Sequence, residues 1–309
     1  MAVYTQVPTE ELETLIASYA IGPLRSAKGI AEGVENSNYL VDTSDGRFIL
    51  TLYEKRVDAG DLPFFLGLLD HLADSGNPVP RALRDREGRQ IQNVAGRPAC
   101  LIEFLPGVSV TRPTPAQARA AGAALGRMHM ALRDFADTRP NGLGLAGWHE
   151  LAGRCGGQLD AIAPGLQRRV ADELAFLDSH WPAHLPRSVI HADLFPDNVL
   201  MLGDRVTGLI DFYFSCSEVR AWDLAVTHCA WSFAPDYAAA AGDALIEGYE
   251  TEHPLLPEER DAFPVLARGA CLRFLLTRAW DWLNTPADAL VTRKDPLAFL
   301  HRLDHYARL

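Results

Sequence analysis

Apolar positions recur along this chain with two different periods, and the changeover divides it in two. Thr9-Glu10-Glu11 followed by Leu12, Leu15 and Ile16 predicts a helix over 9–19, opened by a capping residue and early acids. Leu24–Ile30, Leu40-Val41 and Arg47–Tyr53 read as strands, the last two joined by the hairpin turn Asp45-Gly46. Leu62, Phe65, Leu66, Leu69 and Leu72 predict a helix over 62–73, stopped by Gly76-Asn77-Pro78. Strands over 89–94 and 98–104 complete a sheet of about five strands before Pro106-Gly107 breaks the chain. From Thr114-Pro115, a cap and a first-turn proline, the period becomes helical to about residue 133. It is helical again near 148–155, 165–181, from Glu218 onward, and at 235–252, 257–284 and 286–307. The reading is an α+β chain, with a sheet lobe over 1–105 and a mostly helical lobe over 106–309.

One stretch interrupts the helices. Residues 187–214 run from an apolar strand ending at Ile190 into His191-Ala192-Asp193-Leu194-Phe195-Pro196-Asp197-Asn198. Val199–Leu202, the turn Gly203-Asp204, and Val206–Ile210 then form a hairpin, closed by Asp211-Phe212. Pairing of those strands brings Asn198 and Asp211 to the same open end, with Asp193 on the loop beside them. Asp and Asn are common in turns. Yet an amide and two carboxylates at one hairpin end also suit a hard cation that keeps several waters, which describes Mg²⁺ carrying a nucleotide. The pattern H-x-D-x-x-x-x-N, with an aspartate beyond a short hairpin, is the phosphoryl-transfer arrangement of kinases. In it Asp193 accepts the acceptor's proton, and His191 completes the catalytic loop.

Composition narrows the partners. Lysine plus arginine number 29 against 40 acidic residues, a net charge of −11, and no basic stripe is present, which argues against nucleic acid. The five cysteines form no C-x-x-C pair, so neither a zinc site nor a disulfide framework is indicated. The N-terminus lacks an apolar signal core, and no apolar run is long enough for a bilayer. A cytoplasmic protein that engages no membrane is expected.

Further candidates lie along the chain. Gly33, Asn36, Ser37 and Asn38 tip a polar loop between two strands, suited to covering nucleotide phosphates. The 105–113 segment reads as a hinge where adenine docks on backbone groups, which nominates Glu103, Phe104 and Leu105. His129, on an apolar helix face, reads as a packed histidine. Gly142-x-Gly144-x-x-Gly147 matches a dinucleotide fingerprint but follows a helix and Arg139-Pro140, so it reads as a glycine-rich loop. Asp223, early in the helix from Glu218, either holds the catalytic loop through hydrogen bonds or merely complements the helix dipole.

His191–Asn198, Leu209-Ile210-Asp211-Phe212 and Asp223-Leu224-Ala225 resemble the signature of the aminoglycoside phosphotransferase/choline kinase family, over essentially the full length. The resemblance implies a bilobal protein-kinase-like fold and ATP with Mg²⁺ as cofactors. Asp193 is then the base, Asn198 and Asp211 the Mg²⁺ ligands, and 33–38 the phosphate-covering loop. Gly33–Tyr39, Phe48–Glu54, Leu62–Leu66, Arg139–Gly144 and Ile210–Phe214 are similar to the homoserine kinases of that family, which implies L-homoserine as substrate; a monomer or homodimer is expected. Arg273, Arg278, Tyr213 and Asp197 are the candidate contacts to a zwitterionic amino acid. One position departs from the family pattern: Thr51 stands where the strand lysine belongs, with Lys55 and Lys28 as substitutes. That departure keeps a nucleotide-binding pseudokinase open, beside a kinase of another alcohol such as an aminoglycoside, choline or methylthioribose.

Overall fold

The computed structural model describes residues 5–30, 36–54, 57–285 and 293–309. The chain divides into two compact units, Met1–Gly107 and Val108–Leu309.

In the first unit, helix α1 (Thr9–Ala17) precedes strands β1 (Leu24–Gly29), β2 (Ser37–Thr43) and β3 (Arg47–Leu52). Helix α2 (Leu62–Asp74) and strands β4 (Gln92–Val94) and β5 (Arg97–Glu103) follow. The strands form one sheet in the order β1-β2-β3-β5-β4, each pair antiparallel. Strict alternation along β2 turns Tyr39 and Val41 inward, where they meet Leu12, Leu15 and Ile16 of α1 and Leu50, Leu52 and Leu101 of the sheet. Burying such side chains contributes roughly 1.5–3 kcal/mol each, and this apolar layer holds α1 on the sheet. β4 starts three residues later than expected. Asp85 gathers the N–H groups of Glu87 and Arg89 into a turn ahead of β4, and its carboxylate also accepts from the side chains of Arg89 and Gln92.

In the second unit come α3 (Pro115–Ala131), α4 (Leu145–Arg154), α5 (Leu166–His180), β6 (Arg187–Ile190), β7 (Val199–Leu202), β8 (Arg205–Leu209) and β9 (Cys216–Val219). Helices α6 (Arg220–Trp231), α7 (Ala239–Glu252), α8 (Pro257–Asp261), α9 (Phe263–Asn284) and α10 (Leu297–Tyr306) complete it. A capping box between Thr114 and Gln117, with Pro115 in the first turn, starts α3. Every residue of α6 from Ala221 to Trp231 is buried, so it forms the core helix of this unit.

Expected boundaries in this unit change too: the helix expected over 286–307 is α10 from Leu297, with 286–292 outside the described residues. Glu218 and Val219 belong to strand β9, because Arg187–Ile190 pairs with Val219–Cys216 from across the catalytic stretch. The helix expected over 257–284 is two helices, since Pro264 lies in the first turn of α9, where its missing N–H does no harm. α7 starts at Ala239, after a bridge between Phe233 and Tyr237 closes a turn over the residues expected to be helical.

α3 and α7 approach to backbone contact. A side chain at Gly122 would strike the Leu245 carbonyl, and one at Gly248 would strike the Arg119 carbonyl. Gly248→Val is therefore expected to destabilise the protein by about 1–3 kcal/mol, read as a lower Tm. An unchanged Tm would mean that the two helices separate freely.

Candidate active site

The loop leaving β6 is held through many of its backbone groups. Asp223, fully buried in the first turn of α6, accepts the N–H of His191 at 2.8 Å and of Ala192 at 2.7 Å. Arg273 of α9 donates to the Ala192 carbonyl, Asn198 Nδ2 to the Asp193 carbonyl at 2.8 Å, and Trp231 Nε1 to the Leu194 carbonyl at 2.9 Å. Phe195 N–H closes back on the Asp193 carbonyl at 2.8 Å. These bonds sustain a left-handed backbone at Ala192 (φ 65°), a conformation that costs an alanine energy and persists only where its surroundings dictate it.

Asp223 has a support of its own. His129 Nε2 lies 3.0 Å from its Oδ2, and His129 Nδ1 lies 2.9 Å from the Tyr249 hydroxyl, with His129 completely buried. Burial pushes the Asp223 carboxyl up, but the hydrogen bond and charge of His129, with the His191 ring and N–H, outweigh it, and the net shift is down. Asp223 is thus an ionised acceptor for two loop N–H groups, a role beyond balancing a helix dipole.

His191 is also fully buried. Its Nδ1 accepts the Asp193 N–H at 3.2 Å and its Nε2 donates to the Ile210 carbonyl at 3.0 Å, with the ring against Phe212. Burial lowers its pKa against the opposing pull of Asp223, so the ring is neutral. With both nitrogens engaged it meets no reactant: it ties the loop to the end of β8, a positioning role in place of the catalytic one expected.

The β7–β8 hairpin pairs Val199 with Leu209, and Ile210 N–H donates to the Asn198 carbonyl at 3.0 Å, so Asn198 and Asp211 emerge at one end. Asn198 Nδ2 also lies 3.3 Å from Asp193 Oδ2. With its nitrogen turned to Asp193, its oxygen is the atom left to face a cation. Asp211 takes a left-handed conformation (φ 67°, ψ 58°) just before the turn Phe212–Phe214. Among the described residues no three His, Cys, Asp or Glu gather as metal ligands. A cation here would rely on carboxylate and amide oxygens together, a donor set that suits Mg²⁺.

The four candidate acceptor contacts separate. Arg273 is only 2% exposed, beneath the loop beside Phe274, Phe214 and Trp222. It holds the Ala192 carbonyl, so it is a support of the loop instead of a substrate contact. Asp197 is exposed, with Lys294 Nζ 3.9 Å from its carboxylate. Tyr213 is half-buried in the turn after Asp211. Arg278 is half-buried and within electrostatic reach of Asp193 and Asp197.

In the first unit, Ser37 and Asn38 lie in β2 and not at a loop tip. Ser37 is fully buried and donates to Glu54 at 2.8 Å, and Asn36 Oδ1 accepts the Glu54 N–H at 3.4 Å. Asn38 pairs with Thr51 across the sheet, and Thr51 Oγ1 donates to Asn38 Oδ1 at 2.8 Å. The place expected for a lysine thus holds a buried hydroxyl bonded to an amide. Glu103 N–H donates to the Arg81 carbonyl at 2.9 Å, and its carboxylate accepts the Arg81 N–H at 3.1 Å. Its N–H is therefore already engaged. Leu105, just beyond β5, is half-buried. Gly33 and Lys55 lie outside the described residues.

The sequence profile of the phosphotransferase enzyme family matches residues 26–263. The chain belongs to the phosphotransferase enzyme family. A homoserine kinase from Zymomonas mobilis subsp. mobilis is 56% identical to this phosphotransferase, over 99% of this chain and 97% of its own. Another from Xanthobacter autotrophicus is 53% identical over 98% and 95%. Among solved structures, an amicoumacin kinase in complex with AMP-PNP superposes with a TM-score of 0.72 at 16% identity, covering 96% of this chain and 92% of its own. The fold is therefore the protein-kinase-like one, with an N-terminal antiparallel sheet and a helical C-terminal part.

Supports of the phosphotransferase loop that escaped the sequence reading include His129, seen there only as a packed side chain, and Tyr249. His129 and Tyr249 are 94 and 26 residues from Asp223 in sequence. Both occupy buried helix positions where a histidine or tyrosine is ordinary, so no local signal distinguishes them.

Proposed function

We propose that this phosphotransferase moves the γ-phosphoryl group of ATP to the side-chain hydroxyl of L-homoserine, giving O-phospho-L-homoserine and ADP. The observation that carries the reading is 56% identity to a homoserine kinase over nearly the whole of both chains, in a chain that keeps Asp193, Asn198 and Asp211 together. Asp193 accepts the hydroxyl proton as that oxygen bonds to the γ-phosphorus and the bond to the β-phosphate oxygen breaks. Asn198 and Asp211 would hold Mg²⁺, which neutralises the phosphate charge when bound. Leu105 offers a backbone edge for adenine. Five buried, reduced cysteines suit the cytoplasm. No helix among the described residues is long and apolar enough to cross a membrane. We take the protein to act as a monomer or homodimer.

The test is ADP release with Mg-ATP over L-homoserine, L-serine, L-threonine, choline, kanamycin and methylthioribose. Turnover is expected with L-homoserine at a kcat/KM at least about 100-fold above the others, a discrimination that a site hydrogen-bonded to one substrate reaches. Preference for another acceptor overturns the substrate. Nucleotide binding without turnover on any acceptor overturns catalysis itself and points to Thr51.

A further inference from the structure

Two half-buried arginines of the second unit, Arg278 and Arg302, share one aromatic ring near the catalytic loop. Arg119, Arg127, Arg169, Arg187, Arg220, Arg260 and Arg268 each meet a glutamate within ion-pair distance. Among the described residues, Arg278 and Arg302 meet no carboxylate at that distance. Their guanidinium groups lie 4.5 and 4.4 Å from the Phe299 ring centroid. Arg278 Nη1 donates to the Asp295 carbonyl at 3.2 Å, and Arg302 Nη1 to the Cys229 carbonyl at 2.7 Å. Both are half-buried. Burial, and then the charge of Arg302, pull the Arg278 pKa down to about 10, while Asp193, Asp197 and Asp295 pull the other way. Withdrawing a guanidinium from water is costly without an anion, and a chain with net charge −11 has acids to spare. An arginine left without one, close to the catalytic aspartate, has its anion supplied from outside.

We propose that Arg278 binds the carboxylate of the acceptor and selects amino acids over amino alcohols. The proposal rests on the functional reading above and deepens it. An acceptor with its hydroxyl at Asp193 must carry a group for Arg278 at its other end. A guanidinium offers two parallel N–H donors to a carboxylate, and it repels a substrate whose far end is only cationic. Asp197, also within electrostatic reach of Arg278, is the nearby acid for the ammonium of a zwitterion. Arg302, on the same Phe299, adds positive potential. Arg273, five residues earlier on the same helix, is turned roughly 140° away at about 100° per residue. That rotation explains why one arginine supports the loop and the other is left for the acceptor.

The experiment compares wild type, R278Q and R278K by steady-state kinetics on L-homoserine and on L-homoserinol, in which CH₂OH replaces the carboxylate. With L-homoserine, R278Q is expected to raise KM by about 100-fold, the loss of a charge-assisted pair, with kcat changed far less. R278K, a single point charge, falls between. With L-homoserinol, a poor wild-type substrate, R278Q loses less than about fivefold. Equal losses on both acceptors would assign Arg278 a structural role and overturn the proposal, as would an unchanged KM for L-homoserine. Turnover by wild type of a different carboxylate-bearing alcohol, with the same KM rise in R278Q, overturns L-homoserine but upholds Arg278. Preference for a carboxylate-free acceptor, or no turnover at all, overturns both.

Discussion

Asp193→Asn lowers kcat by about 10²–10⁴-fold, the span usual for losing a positioned general base, while nucleotide affinity stays within a few fold of wild type. The expectation follows from what the substitution keeps of Asp193. Its backbone is held by His191, Asn198 and Phe195, bonds that an asparagine keeps. Its carboxylate accepts from Asn198 Nδ2 at 3.3 Å, and asparagine supplies an oxygen there too. What the amide cannot do is accept a proton from the acceptor hydroxyl. Single-turnover kinetics with ATP, beside titration with a fluorescent ADP analogue, separates the two effects. Near-normal turnover would remove Asp193 from the reaction, and a large loss of nucleotide affinity would make it a metal ligand instead.

Asp223→Ala is the most damaging change expected away from the reacting groups. It strands the N–H groups of His191 and Ala192 and the His129 ring in a buried place. Breaking a buried charge network by removing one member costs about 3–5 kcal/mol. For a protein of this size that is a Tm fall on the order of 10 °C. Activity should fall with it, because Ala192 then has little reason to keep its left-handed conformation and Asp193 follows it in the chain. The pH dependence has a definite sign. The Asp223 pKa is lowered by folding, so its contribution is full above the ordinary carboxylate pKa of about 4 and is lost only as the pH falls through the lower folded value. The variant should therefore show a Tm deficit that is constant at neutral pH and shrinks in strong acid. A Tm within 2 °C of wild type at pH 7 would show that water replaces the carboxylate, contrary to the role assigned.

The sequence by itself determined what depends on neighbours along the chain. The sheet unit, the hairpin and the candidate site on it were legible, because a period of two, a Gly-Asp turn and the spacing from His191 to Asn198 to Asp211 are all local. Pairing Val199 with Leu209 leaves Asn198 and Asp211 nowhere to emerge but the same end. Element ends at Glu218, Ala262 and Ala239 were not legible, since pairing of β9 with β6 and the position of Pro264 outweighed local helical pattern. Only the tertiary structure decided which charged and polar side chains support the loop and which do not. Arg273 and Arg278 look alike on one helix, yet the first reaches the Ala192 carbonyl and the second lies on Phe299. His129 belongs to the site only because α3 brings it to a carboxylate 94 residues away. Helical pattern records that a face is buried, whereas the partner that makes a buried polar group tolerable comes from a distant part of the chain, which no local pattern specifies.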